Sequence, residues 1–380
     1  MNVLVVTDKL IMGGAENYFC KLENELSHPD VKFHYAAATG ELYGNIQEKR
    51  SFTMLHRKNH IRNLWILWKS MKVNKIDIFH ANSLRMVLYG VVLRWILKDK
   101  CGRIIYTKHN VTLLEKYSPL LFRHLMNRYT SKIISVSEFE KYQLIDLGVE
   151  SRKISTVYNG VDLKRFAYRR KKTVPQKKVG ILARISKEKN HNFFLEVADA
   201  GRDHPDITFY IAGDGPDFNE LKLQIEKLGL QENVHMLGGT NHPEEFIREM
   251  DILLITSHRE VFPMVVLEAM AVGTPIISID RGGIKEAIEN GKSGYLISEH
   301  STEAFSRRIE YIFTNELKRL QLIKEARKKV ELNFSLKKMI ERTLEVYLTV
   351  NGEPISSKTS EWSTQTQKTP LTMEVQNRDG

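Results

Sequence analysis

DILLITSHREVFPMVVLEAMAVGTPIISID, residues 251–280, reads as a strand, a loop, a helix and a second strand. DILLITS and PIISID are short β-branched apolar runs. A helix-length segment between two such strands makes them members of a parallel sheet with the helix on its face. Pro263 suits the first helical position because it lacks the N–H that a helix start leaves unpaired, and Gly273 closes the helix. MVVLEAMAV is apolar nearly all round, so the helix is expected to be buried. Two carboxylates nevertheless stand in this segment, Glu260 in the loop at the helix mouth and Glu268 more than one turn inside. A buried carboxylate needs partners. An ion pair with an arginine and the hydroxyls of a polyol ligand both fit, and the segment alone leaves the two open.

The same alternation extends over both flanks. VLVV (3–6), FHYAAA (33–38), IDIFHA (76–81), RIIYTKH (103–109), KIISVS (132–137) and KISTVYN (153–159) form one set of expected strands. KVGILAR (178–184), ITFYIAG (207–213), NVHMLG (233–238), DILLITS, PIISID and GYLIS (294–298) form a second. At 380 residues the chain is too long for one ordinary core. Two doubly wound α/β domains follow, with the C-terminal ends of both sets of strands around a common cleft where ligands belong.

Composition narrows the function. The two cysteines, Cys20 and Cys101, are far apart and lack metal-ligand spacing, which argues against a disulfide framework or a zinc site. MNVLVVTDKL reads as a first strand rather than a signal peptide. MVLYGVVLRWIL, from Met86, is broken by Arg94 and is too short to span a bilayer. The net charge of +11 is uneven: residues 1–160 carry +10 and residues 161–178 carry +7, leaving about −6 for the rest. Residues 49–75, KRSFTMLHRKNHIRNLWILWKSMKVNK, hold eight Lys or Arg and no acid. Ile61, Leu64, Trp65, Trp68 and Met71 recur there at helical spacing. This is either a surface helix with its Trp residues on the core or a helix that docks on an anionic membrane surface or an acidic acceptor. Nucleic acid is not an expected partner, because the basic residues are not interleaved with a recognition motif.

Several residues at expected strand ends are suited to phosphate. Arg184 ends KVGILAR and Lys189 follows five residues on, a planar fork and a point charge at the sheet rim. Gly13 and Gly14 precede a helix start, where backbone N–H groups favour anions. Gly213-x-Gly215 lacks the third glycine of a dinucleotide fingerprint, and Gly282-Gly283 reads as a turn. His109 and Asn110 end RIIYTKHN on the rim of the first sheet.

Taken together these residues resemble the retaining nucleotide-sugar glycosyltransferases of family 4, which have the two-Rossmann GT-B fold. The matching pieces are GGAE (13–16), DIFHANS (77–83), YTKHN (106–110), VSEFEKYQLIDLGVESRKISTVYNGVDLKRF (136–166), ILARISKEKN (181–190), IAGDGP (211–216), EVFPMVVLEAMAVGTPII (260–277) and RGGIKEAI (281–288), in family order. The resemblance implies an N-terminal acceptor-side domain over 1–168 and a donor domain over 169–335. A helix at 336–350 is expected to cross back to the first domain, and 351–380, polar, rich in Ser and Thr and without periodicity, reads as a disordered tail. It implies that Glu268 holds the ribose hydroxyls, that Glu260 contacts the transferred sugar, and that Arg184 and Lys189 grip the diphosphate. It further places the backbone N–H groups around Met264 and Val265 on the donor together with Phe262, Gly14 at the phosphates, and His109 near the sugar's C6 hydroxyl or the reacting centre. Two positions depart from the family: Val261 and Asn190 stand where it usually has glycine. Val261 is either strained or narrows the sugar pocket, whereas Asn tolerates left-handed geometry.

The implied activity is retaining, metal-independent transfer of a hexose from a UDP- or GDP-sugar to a glycan or lipid-linked acceptor, in cell-surface polysaccharide synthesis. The sequence holds no Asp-x-Asp motif. No cofactor is expected, the nucleotide sugar being a substrate. The expected place is the cytoplasm, peripheral on the inner face of the membrane. A sugar-nucleotide epimerase on the same fold is the alternative.

Overall fold

A computed structural model describes residues 1–49, 51–97, 102–171 and 176–352. The chain forms two all-parallel sheets. The first holds β1 (Asn2–Lys9), β2 (Lys32–Ala38), β3 (Phe52–Leu55), β4 (Ile78–Ala81), β5 (Arg103–Lys108), β6 (Lys132–Ser135) and β7 (Ile154–Thr156), in the order β3-β2-β1-β4-β5-β6-β7. The second holds β8 (Lys177–Leu182), β9 (Ile207–Ala212), β10 (Val234–Gly238), β11 (Ile252–Ile255), β12 (Ile276–Ile279) and β13 (Tyr295–Ile297), in the order β10-β9-β8-β11-β12-β13. Strand order reverses between β1 and β4 and again between β8 and β11. The crevices that bind ligands in open α/β sheets open at such points.

Alternation along the strands explains the layering. On β1, Leu4 and Val6 pack with the helices His60–Val73, Leu84–Ile96 and Pro119–Tyr129, while Val3 and Val5 pack on the other face with Gly14–Glu25. The C-terminal helix Leu336–Asn351 lies on that second face too, where Met339, Ile340, Val346 and Tyr347 complete the core of the first sheet. In the second sheet, Leu253 and Ile255 face the helix Met264–Val272, and Ile252 and Leu254 face the opposite side. Pro263 precedes that helix as its N-cap, one position earlier than its missing N–H suggests.

The basic stretch 49–75 differs from the sequence reading in two ways. It contributes β3, a four-residue edge strand, before the helix His60–Val73. The buried stripe of that helix is centred on Leu67 and Met71, with the partly buried Leu64, Ile66 and Trp68 packed beside it. Ile61 and Trp65, at the margin of the expected apolar face, are left 83% and 58% exposed. Residues 353–380, which cover nearly all of the expected disordered tail, lie outside the described residues. No helix among the described residues is long and apolar enough to cross a membrane.

Candidate active site

The C-terminal rims of the two sheets enclose a cavity of about 260 Å³. Gly14, after β1, and His109, after β5, line it from one side. Lys189, Glu260, Phe262, Met264 and Val265 line it from the other. A Cβ on Gly14 would meet no atom within 4 Å, so backbone is what this residue presents to the cavity.

Glu260 is the best-tethered of these groups. Its Oε1 accepts from Lys189 Nζ at 2.6 Å and from Ser257 Oγ at 2.6 Å, with the residue 7% exposed. The loop that carries Lys189 is itself stitched to the exit of β11, since Thr256 Oγ1 donates to the Lys189 carbonyl at 2.9 Å and the His258 amide to that of Glu188 at 2.9 Å. Asn190 has φ 52°, and its side chain caps the helix His191–Ala200, so it fills a left-handed position that most side chains disfavour. Arg184 stands exposed beyond β8 and Glu268 is half-buried; neither lines the cavity.

Burial pushes the Glu268 carboxyl above the usual carboxylate range, opposed by the nearby charges of Lys21 and Arg165. Both cations are engaged elsewhere: Lys21 donates to the Gly160 carbonyl at 2.8 Å, and Arg165 pairs with Glu244 at 2.9 Å. Glu268 is therefore close to positive charge without being consumed by it, and its oxygens retain accepting capacity.

His109 is held in one tautomer. Asn82 Nδ2 donates to the Ala15 carbonyl at 2.8 Å, which turns Asn82 Oδ1 to His109 Nε2 at 2.7 Å. Nε2 thus carries the proton and Nδ1 is left as an acceptor. Burial lowers the His109 pKa to about 3, so the ring is neutral near neutral pH. His80, two residues before Asn82, is wholly buried between Tyr347 and Thr107 and is a core residue.

The ring of His109 follows a buried charge cluster that the sequence did not disclose. Lys108, fully buried at the end of β5, bonds Glu140 and pairs with Glu115 at 3.1 Å. Ser137 does cap the helix Glu138–Asp146 through the Glu140 amide, but the Glu140 carboxylate goes to Lys108 instead of reaching back to Ser137. A reciprocal capping box is formed by Thr112 and Glu115, at the start of the helix Leu113–Tyr117.

Val261 lines the same cavity, and its φ is not positive. The freedom of a glycine is not needed there, so the side chain acts through the space it fills. Glycine is needed in the turn that backs this loop. A Cβ on Gly282, at φ 63°, would lie 1.7 Å from the Glu260 carbonyl oxygen, and one on Gly283 would lie 2.1 Å from that of Val261.

Two family descriptions divide the chain: "Glycosyltransferase Family 4" matches residues 12–165, and "Glycosyl transferases group 1" matches residues 164–329. An Escherichia coli protein named UDP-Gal:alpha-D-GlcNAc-diphosphoundecaprenol alpha-1,3-galactosyltransferase is 25% identical over 76% of this chain and 79% of its own length. The N-acetyl-alpha-D-glucosaminyl L-malate synthase of Bacillus anthracis is 29% identical over 72% and 75%. Among solved structures, Anabaena HepE in complex with UDP-glucose superposes with a TM-score of 0.79 over 92% of this chain and all of that one, at 20% identity, a likeness of fold. The two descriptions meet at the passage between the sheets and take in both rims of the cavity; the chain belongs to the family 4 glycosyltransferases, on the GT-B plan.

Proposed function

We infer that this transferase moves a hexose, with retention and without a metal ion, from a nucleotide sugar to a glycan or lipid-linked acceptor in cell-surface polysaccharide synthesis. The observation that carries the reading is the Lys189–Glu260 pair facing His109 across one cavity, at the mouth of the helix Met264–Val272. Leaving of the diphosphate builds negative charge, and fixed cations with helix N–H groups stabilise it when preorganised. Lys189, Arg184 and the amides of Met264 and Val265 fill that role, with Gly14 opposite. Glu260 receives sugar hydroxyls, Phe262 bounds the sugar end, and Glu268 takes the ribose. His109, neutral with a free Nδ1, accepts a hydrogen bond from a hydroxyl near the anomeric centre. A front-face path, with the leaving phosphate as base, accounts for retention with these groups.

The Escherichia coli relative is named for a UDP-sugar donor and a diphosphoundecaprenol-linked acceptor, which supports the same classes here. Epimerisation draws no support from the named relatives, which are a transferase and a synthase. Binding of the donor is read by calorimetry: Glu268→Ala is expected to weaken UDP affinity by on the order of tenfold or more, since a bidentate carboxylate contact is lost. Unchanged affinity would remove Glu268 from the ribose. A panel of nucleotide sugars in a thermal-shift assay then identifies the donor, because a bound ligand raises the melting temperature by mass action.

An anionic membrane surface is part of this reading. Ile61 and Trp65 stand exposed among the exposed Arg57, Lys58, Arg62 and Lys69, the pairing of apolar anchors with cations that suits an interface. Sedimentation with anionic vesicles is expected to carry the protein down at low salt and release it at high salt. Equal recovery with neutral vesicles would argue against docking, and so would indifference to salt.

A further inference from the structure

The turn that leaves β12 does more than reverse the chain. Gly282 and Gly283 lie against the carbonyls of Glu260 and Val261, and Gly283 also faces Ser137, whose Cβ would stand 3.1 Å from a Cβ on that glycine. Ser137 belongs to the first domain and caps the helix Glu138–Asp146. One turn later, in the short helix Ile284–Ala287, the Glu286 carboxylate reaches across the cleft. Its Oε2 accepts from the Glu138 amide at 2.8 Å and its Oε1 from the Phe139 amide at 2.7 Å. With the Glu140 amide on Ser137 Oγ, all three amides that open this helix are satisfied, two of them by the other domain. Carboxylate against the positive end of a helix is a charge-assisted contact, stronger than a neutral one.

The helix so gripped is tied to the reacting side of the cavity. Glu140, in its first turn, bonds the fully buried Lys108, and His109 is the next residue. On the donor side, the turn that carries Glu286 rests on the backbone of Glu260 and Val261. We propose that Glu286 is a positioning residue for transfer, clamping the donor loop of the second domain to the helix that holds His109, so that the two halves of the cavity keep their register. The proposal rests on the donor and transfer reading above.

Glu286→Gln tests it. The amide is isosteric and fills the same space, but it has one acceptor oxygen where the carboxylate has two and places an N–H group against one of the helix amides. Transfer is expected to fall by on the order of tenfold or more, the worth of one charge-assisted bond at the cleft. UDP affinity is expected to hold within about threefold, because the diphosphate cations and Glu268 lie in the second domain. Small-angle scattering is expected to give a larger radius of gyration for the variant. A wild-type transfer rate in Glu286→Gln would overturn the proposal, and so would a slow variant with unchanged scattering, which would place the defect in chemistry and not in domain register. Should the wild-type protein transfer no sugar, the donor reading fails, while scattering still decides whether Glu286 holds the domains together.

Discussion

Alanine in place of Lys189 is expected to lower the transfer rate by on the order of 10²-fold or more and to destabilise the protein as well. The rate loss comes from the transition state, where a fixed cation at the departing diphosphate is worth most in a site that excludes water. The stability loss comes from Glu260. That carboxylate is 7% exposed, and Lys189 and Ser257 are its two hydrogen-bonding partners. With Lys189 gone, the serine hydroxyl is the one side-chain partner left to the Glu260 carboxylate among the described residues. Breaking a buried pair from one side costs up to about 3–5 kcal/mol. Lys189 is 25% exposed, so solvent screens part of this and the lower end is expected. Initial rates at saturating donor and a thermal melt measure the two effects. Full activity in Lys189→Ala would exclude it from the phosphate grip.

Arg184→Ala is expected to show the same rate loss, on the order of 10²-fold, without the loss of stability. Arg184 is exposed at the exit of β8 and takes part in no ion pair among the described residues. A guanidinium in water contributes little to folding, so its removal should leave the melting temperature unchanged. Its planar fork nevertheless suits two phosphate oxygens at once, which a lysine does not match. The two variants separate a cation that also serves the fold from one that serves only the ligand. A large melting shift with normal turnover in Arg184→Ala would reverse the assignment.

Most of the architecture was legible because both domains repeat one unit. A β-branched run, a turn at its C-terminal end and an amphipathic helix recur along the chain, and all but one strand announced themselves this way. The exception, β3, is four residues long and sits at a sheet edge, where FTML needs to bury one face only in part. Its neighbour, the helix His60–Val73, shows the limit of periodicity: spacing identifies an apolar face but not where the buried stripe is centred, and Ile61 and Trp65 fell outside it. Of the residues that the family pattern picked out, Gly14, His109, Lys189, Glu260, Phe262, Met264 and Val265 line the cavity, and Arg184 and Glu268 do not. The tethers of the site were not legible, because they are made by residues distant in sequence. Asn82 fixes the His109 tautomer from 27 residues away, Lys108 holds the Glu140 carboxylate from 32 residues away, and Glu286 reaches a helix 147 residues earlier. Hydrogen-bond partners of this kind carry no local signal. Val261 lay between: its departure from glycine was visible in sequence, but only its backbone angle showed that space, and not strain, is what it changes.

The most direct test of the account is the structure of the protein with UDP bound. The diphosphate is predicted to lie at the mouth of the helix Met264–Val272, within hydrogen-bond distance of Lys189 and of Arg184 swung in from the rim, with the ribose hydroxyls on Glu268. A nucleotide whose diphosphate lies away from that helix, or whose ribose is held by other groups, would contradict it.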